Sequence, residues 1–190
     1  MKTMPNGPRR PASYDDLVAL PEHLIGEIVD GELIASPRPA LRHAAAASSL
    51  HGGLYGAFDR RGRGGSGGWV ILFEPELHVV GQVLVPDIAG WRTARMPQIP
   101  DAAFVEVAPD WICEVLSPGT VALDRTRKVH HYGRAGVGHL WLLDPVPETL
   151  EVYRLESGAW ILVTSVAGAV KVRAVPFETT ELDLAGVWAR

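Results

Sequence analysis

Two acidic residues stand inside apolar, strand-like runs, where a charge is costly. Asp87 follows Pro86 in the run Leu84-Val-Pro-Asp-Ile-Ala89, and Glu114 interrupts Trp111-Ile-Cys-Glu-Val-Leu116. A carboxylate in such a run needs a hydrogen-bonding partner, an opposite charge or a cation. A divalent metal meets that need, because Mg2+ takes a few carboxylates and keeps several waters. Glu114 shares a strand face with Ile112 and Leu116, so its charge projects from a strand that otherwise reads as buried on both faces. Lys128 lies 14 residues further on, where a helix leaving that strand can fold back toward the acids. Asp124, Lys128 and Tyr132 fall on one helical stripe at i, i+4 and i+8. Glu27, in an N-terminal hairpin, is a fourth candidate. Plainer roles stay open: a turn cap for Asp87 after Pro86, an arginine partner for Glu114, a solvated helix position for Lys128 and a surface position for Glu27.

These residues need elements to bring them together. Ser13 is a good N-cap, with Asp16 three positions on, for a short helix that Pro21 ends. Asp30-Gly31 between two apolar-containing runs predicts a hairpin over residues 26–35, since both central positions of such a turn need positive φ. A helical pattern covers residues 39–60, with Leu41, Ala44, Ala45, Ser48, Ser49, Leu54 and Phe58 at three-to-four spacing, although Gly52 and Gly53 weaken it. Residues 69–73 predict a buried strand, 76–80 its antiparallel neighbour and 84–91 a further strand. Residues 92–108 form a long connection. The clearest buried strand is 111–116, ended by Ser117-Pro118. A helix over 120–135 follows and Gly136 closes it. Residues 139–144 make another central strand. Residues 150–155 and 160–164 form a hairpin around Ser157-Gly158, and short β-like pieces complete the tail. The strand–helix–strand unit at 111–144 predicts an α/β or α+β sheet with at least one parallel pair.

At 190 residues and 47% hydrophobic, the chain fits one domain with its own core. Residues 13–190 are assigned to it, and the polar, Pro-rich residues 1–12 read as disordered or loosely attached. The single Cys113 excludes an intramolecular disulfide or a Cys-rich zinc site, so a reducing compartment is expected. With no signal-like segment and no apolar run near the length of a membrane span, the expectation is a soluble cytoplasmic protein. The net charge of -4 argues against a protein that coats nucleic acid nonspecifically. The one basic cluster, Arg60, Arg61 and Arg63, reads as a solvated loop. The glycines at 62–68 lack a following Gly-Lys-Ser/Thr, so they make no phosphate-binding loop. The adjacent His130 and His131 point about 100° apart on a helix and do not easily face one metal, and His43 near the start of the long helix could contact phosphate or the site; all three read as structural or exposed. Cys113, on the face opposite Glu114, reads as a small buried hydrophobe. Trp69, Trp111, Trp141 and Trp160 read as core anchors.

The order of the acids and the lysine is more telling than any one of them. Glu27-Ile-Val-Asp-Gly-Glu-Leu33, Pro86-Asp87-Ile88, Glu114-Val-Leu-Ser-Pro118, Asp124 through Lys128 to Tyr132, Ala135-Gly-Val137 and Trp141-Leu-Leu-Asp-Pro145 follow one another over residues 13–155. This series resembles the PD-(D/E)XK nuclease superfamily and, within it, the Uma-type family of restriction endonucleases. The resemblance implies a restriction-endonuclease-like core, a mixed β-sheet flanked by helices, with an N-terminal hairpin and a C-terminal β-hairpin. It implies Asp87, Glu114 and the Val115 backbone carbonyl as ligands of Mg2+ or Mn2+. Lys128 would position or activate the attacking water, and Glu27 would hold a metal-bound water or a second ion. The implied partner is nucleic acid, DNA above all, and a homodimer would present two sites to a duplex. Two positions depart from the pattern. The superfamily's lysine normally stands two residues after the Glu, but that position here is Leu116, and Lys128 on the next helix takes its place. His139-Leu140 replaces an acidic residue usual before the third-strand aromatic. The alternative function is a catalytically inert nuclease-fold binding or regulatory module, and a third is hydrolysis of a small phosphodiester.

Overall fold

The computed structural model describes residues 10–59 and 67–188. The chain enters through residues 10–12, where the Ala12 N–H bonds the Gly31 carbonyl at 2.7 Å and Arg10 pairs with Asp16. A capping box between Ser13 and Asp16 then starts α1 (Tyr14–Val18). β1 (Leu24–Val29) and β2 (Glu32–Pro37) form the expected hairpin, with Asp30 and Gly31 at φ 54° and 76°. α2 (Leu41–Phe58) follows. Next come β3 (Trp69–Phe73), β4 (Leu77–Val79), β5 (Gln82–Leu84), β6 (Ile88–Arg92) and β7 (Trp111–Val115). The helix after β7, here α3, begins as α (Val121–Leu123), widens to π over Asp124–Lys128 and ends as α (Val129–Arg134). β8 (His139–Asp144) and the hairpin of β9 (Thr149–Glu156) and β10 (Ala159–Ala167) complete the main sheet. A small ladder of β11 (Lys171–Val172) and β12 (Leu182–Asp183) closes the chain.

The strands form a six-stranded sheet in the order β10-β9-β8-β7-β6-β3 and a four-stranded sheet in the order β2-β1-β5-β4. Among the described strands β7 and β8 pair in parallel and the other ladders are antiparallel, and α3 is the crossover, as the 111–144 unit predicts. Alternate residues of the six-stranded sheet feed two cores. On one face Trp111, Cys113 and Val115 pack with Ala46, Ala47, Leu50, Leu54 and Phe58 of α2 and with Phe177 and Trp188 of the tail. On the other, Ile112 and Leu116 pack with Tyr132 of α3 and with Val29, Leu77 and Leu84 of the second sheet. The mixed α+β architecture therefore agrees with the sequence reading. Among the described residues, no helix is long and apolar enough to cross a membrane.

Three local expectations fail for identifiable reasons. Residues 84–91 are not one strand. The chain leaves the four-stranded sheet after Leu84 and joins the six-stranded sheet at Ile88, with Val85-Pro86-Asp87 as the crossing. Pro86 has no N–H to donate to a ladder, which suits it to that gap. Residues 76–80 do not pair with β3, because Glu74 at φ 46° turns the chain away and β4 pairs with β5 instead. The buried stripe of α2 is His43, Ala46, Ala47, Leu50, Leu54 and Phe58; it shares Leu54 and Phe58 with the expected one but runs two positions later in the first three turns, where Leu41 lies 89% exposed. The loop at 62–68 and the Arg60, Arg61 and Arg63 cluster fall mostly outside the described residues.

Candidate active site

The crossing between the sheets fixes two of the acids through backbone hydrogen bonds. Glu27 on β1 accepts the Val85 N–H at 2.8 Å, and Asp87 accepts the Val115 N–H at 2.7 Å. Asp87 is thereby tied to the end of β7, one residue from Glu114. Glu114 itself is buried and points to the α3 face, as its strand parity requires. The stripe Asp124, Lys128 and Tyr132 meets it there, and all three side chains are buried.

Lys128 is the hub. Its ammonium lies 2.9 Å from Glu114 Oε1, 3.0 Å from Glu27 Oε1, 3.3 Å from the Val85 carbonyl and 3.5 Å from Asp124 Oδ1. Three N–H donors serve four oxygens. Tyr132 donates its hydroxyl to the same Glu114 oxygen at 2.5 Å. A solvated lysine is ruled out, since Lys128 is 3% exposed. So the residues expected from sequence, Glu27, Asp87, Glu114 and Lys128, line one cleft of about 80 Å3 together with the Val115 backbone, His43, Glu74 and Asp124. That volume holds a few waters, or an ion with part of its water shell.

The charges in this cleft do not balance. Five carboxylates (Glu27, Glu74, Asp87, Glu114 and Asp124) face one ammonium, Lys128, and one imidazole, His43. Burial pushes Glu114 well above the usual carboxylate range, and Asp124, Asp87 and Glu27 add to this against the pull of Lys128. Burial also raises Asp124, opposed by Lys128 and a Thr120 hydrogen bond. Glu74 moves the same way, through burial and then Asp87. Burial alone would lower Lys128, but Glu114 and Glu27 outweigh it and hold the ammonium protonated. Burial and mutual repulsion thus both work against the charged forms of Glu114, Asp124 and Glu74.

A divalent cation fits the donor chemistry, but not as a finished cage. Among the described residues, no three His, Cys, Asp or Glu side chains converge closely enough to hold an ion. The expected set needs only two carboxylates and a backbone carbonyl, and Lys128 currently engages one oxygen of Glu114. Lys128 and Tyr132 both hold Glu114 Oε1, so a cation would take the other oxygen or displace these contacts.

His43, which the sequence reads as structural or exposed with a contact to phosphate or the site as the alternative, lies in the cleft wall. Its Nε2 lies 3.3 Å from Asp87 Oδ1 on the cleft wall, and the ring also hydrogen-bonds the Val115 backbone. Burial lowers its pKa, but Asp87 and the Val115 contact outweigh that and raise it overall. A signal was present: Ala46, Ala47 and Leu50 follow at i+3, i+4 and i+7, which places His43 on the buried stripe. His131 is buried and bonds Asp30 at 2.9 Å, away from the cleft, while His130 is exposed. Cys113 is buried on the opposite face, as expected. Trp69, Trp111 and Trp141 are core residues, and Trp160 packs on α3 with its indole N–H on the Val129 carbonyl.

Among solved structures, the fold is similar to a crystal structure titled "a putative nuclease belonging to DUF820" from Anabaena variabilis. The two share 24% sequence identity and a TM-score of 0.74, over 94% of this chain and 98% of that one. No curated protein matches the sequence. The sequence matches the Uma2 family, described as "putative restriction endonuclease", over residues 13–185, and the chain belongs to that family.

Proposed function

We propose that this protein is a Mg2+- or Mn2+-dependent nuclease that hydrolyses phosphodiester bonds in DNA. One observation carries the reading: five carboxylates share a small cleft with a single ammonium. Such an excess of buried negative charge is unfavourable unless a cation joins it. Asp87, Glu114 and the Val115 carbonyl are the proposed ligands. A divalent ion there lowers the pKa of a bound water and stabilises charge on the phosphate and on the leaving oxygen.

The remaining steps belong to the chain's own residues. Asp87 is held in place by the Val115 N–H, so one of its oxygens is left to face the cleft. Glu27 is fixed by the Val85 N–H and orients a water toward the phosphate. Were Glu114 to turn toward a cation, the three Lys128 N–H groups would be left matched to Glu27, the Val85 carbonyl and Asp124, and the ammonium would add a positive charge beside the attacked phosphate. The attacking water gives up a proton as its oxygen bonds to phosphorus, one P–O ester bond breaks, and the leaving oxygen takes a proton from solvent, so that one water is consumed per bond cleaved. The homodimer has its best support in β10, a nine-residue edge strand without a charged side chain, on which Ile161, Leu162 and Val163 are exposed. Such an edge is open to pairing with a second copy.

The test is cleavage of supercoiled plasmid and of single-stranded DNA with Mg2+ or Mn2+. Cleavage by the wild type, lost in Asp87→Asn and Glu114→Gln, is expected. DNA left intact while the ion binds would point to the inert module. Turnover of bis(p-nitrophenyl) phosphate alone would point to a small diester.

A further inference from the structure

The helix-borne imidazole on the cleft wall has no role in the site as drawn from two carboxylates and a carbonyl. His43 is nine-tenths buried at the start of α2, reaching the cleft from the sheet face opposite α3. Its Nδ1 is buried and has no hydrogen-bond partner. An unpartnered buried polar atom calls for an explanation, and a catalytic role or an ion taken up nearby is one. Here only Nε2 is engaged, and it points at the two groups proposed to hold the ion. Its partner on the Val115 backbone is the carbonyl, because only an acceptor there favours the protonated ring.

The distance to Asp87 is informative. At 3.3 Å, Nε2 and Oδ1 are further apart than a strong charge-assisted hydrogen bond, which runs about 2.7–2.9 Å. Two donors each about 2.0–2.2 Å from one ion stand roughly 3 Å apart or slightly more. The pair thus has the spacing of neighbouring ligands on a coordination shell.

We propose that His43 Nε2 is a ligand of the cation held by Asp87 and the Val115 carbonyl, and that it tunes the site toward transition ions such as Mn2+ over Mg2+. This rests on the nuclease reading and adds a ligand to it. The selectivity follows from the ring's surroundings. Ligation through Nε2 places the ring proton on Nδ1, which faces no acceptor. A weak bond to nitrogen does not offset that loss. Nitrogen is a better donor to first-row transition ions than to Mg2+, and Mn2+, the weakest of that series, keeps oxygen as its main ligand, so the preference imidazole adds for it is modest. His43 shares the buried stripe of α2 with Ala46, Ala47 and Leu50, whose packing fixes the helix that carries it.

The test is pulsed electron paramagnetic resonance of one equivalent of Mn2+ bound to the full-length protein. Directly coordinated nitrogen modulates the echo, and growth on 15N-histidine changes that modulation without any substitution. Modulation of this kind in the wild type, its loss in His43→Ala, and Mn2+ binding weakened about ten- to a hundredfold in that variant are expected. Mg2+ should displace Mn2+ more readily from His43→Ala than from the wild type. Bound Mn2+ without nitrogen modulation overturns the proposal and leaves the nuclease reading standing. So does modulation that persists in His43→Ala, which would mean a different histidine. Failure to bind Mn2+ at all overturns both.

Discussion

Replacing Lys128 with Met separates charge from shape at the hub of the site. Met preserves most of the length of the side chain but removes the ammonium that Glu114, Glu27 and Asp124 share at 2.9, 3.0 and 3.5 Å. Removing one partner from a buried ion pair costs about 3–5 kcal/mol, because the other charge stays buried. That is a large share of the roughly 5–15 kcal/mol that holds a domain folded. For a chain of this size, each kcal/mol moves Tm by about 2–4 °C, so a fall of roughly 6–20 °C is expected in the presence of a chelator. A divalent ion should return part of this. At a free concentration of a hundred times Kd it stabilises the folded state by about 2.7 kcal/mol, and Lys128→Met should gain more than the wild type because its cleft is the more negative. The assay is urea and thermal unfolding of both proteins, with chelator and with Mn2+. A variant as stable as the wild type in chelator would refute the charge argument. Equal stabilisation of the two proteins by Mn2+ would refute the claim that ammonium and cation answer the same negative charge.

Other consequences can be checked separately. Tyr132→Phe removes the hydroxyl donated to Glu114 and should cost about 1–3 kcal/mol in urea unfolding, since a buried carboxylate loses a donor. The Arg125 hydrogen bond holds Glu151 below its ordinary pKa of 4.5, so the pair's contribution is present above that value and fades as pH falls through the lower folded value. Because the pair is partly exposed, Glu151→Gln should lose about 0.5–1 kcal/mol at pH 7 and nearly nothing in strong acid. Leu162→Lys on the edge of β10 should shift light-scattering mass from dimer to monomer without lowering Tm, because that side chain is half exposed.

The acids were legible because they break a pattern. Glu114 is a charge in a run whose other members are apolar, and its strand parity placed it on the face of Ile112 and Leu116, where it lies. The i, i+4, i+8 stripe likewise placed Asp124, Lys128 and Tyr132 together, although a π-stretch occupies the middle of their helix. Nothing in the chain announced that the lysine is buried. Its burial depends on three acids that arrive from β1, β7 and α3, and that is a property of the assembled sheets. The break at Pro86 was harder to see because the flanking residues are as apolar as a strand interior. Only the exchange of one sheet for another reveals it. His43 was harder to place, because a lone histidine at the start of a helix reads as structural, exposed or site-facing until the buried face is known. Leu41 looked like part of the buried stripe and is not, and the small residues of α2 offered two stripes of nearly equal character.

The central claim is that the cleft between the sheets and α3 holds a divalent ion on Asp87 and Glu114. Diffraction from a Mn2+-soaked crystal, collected where manganese scatters anomalously, tests it most directly. The account predicts an anomalous peak within coordination distance of Asp87, Glu114 and the Val115 carbonyl, with Glu114 turned from its present contact with Lys128. No peak in the cleft at saturating Mn2+, with Lys128 still bridging Glu27 and Glu114, would contradict it.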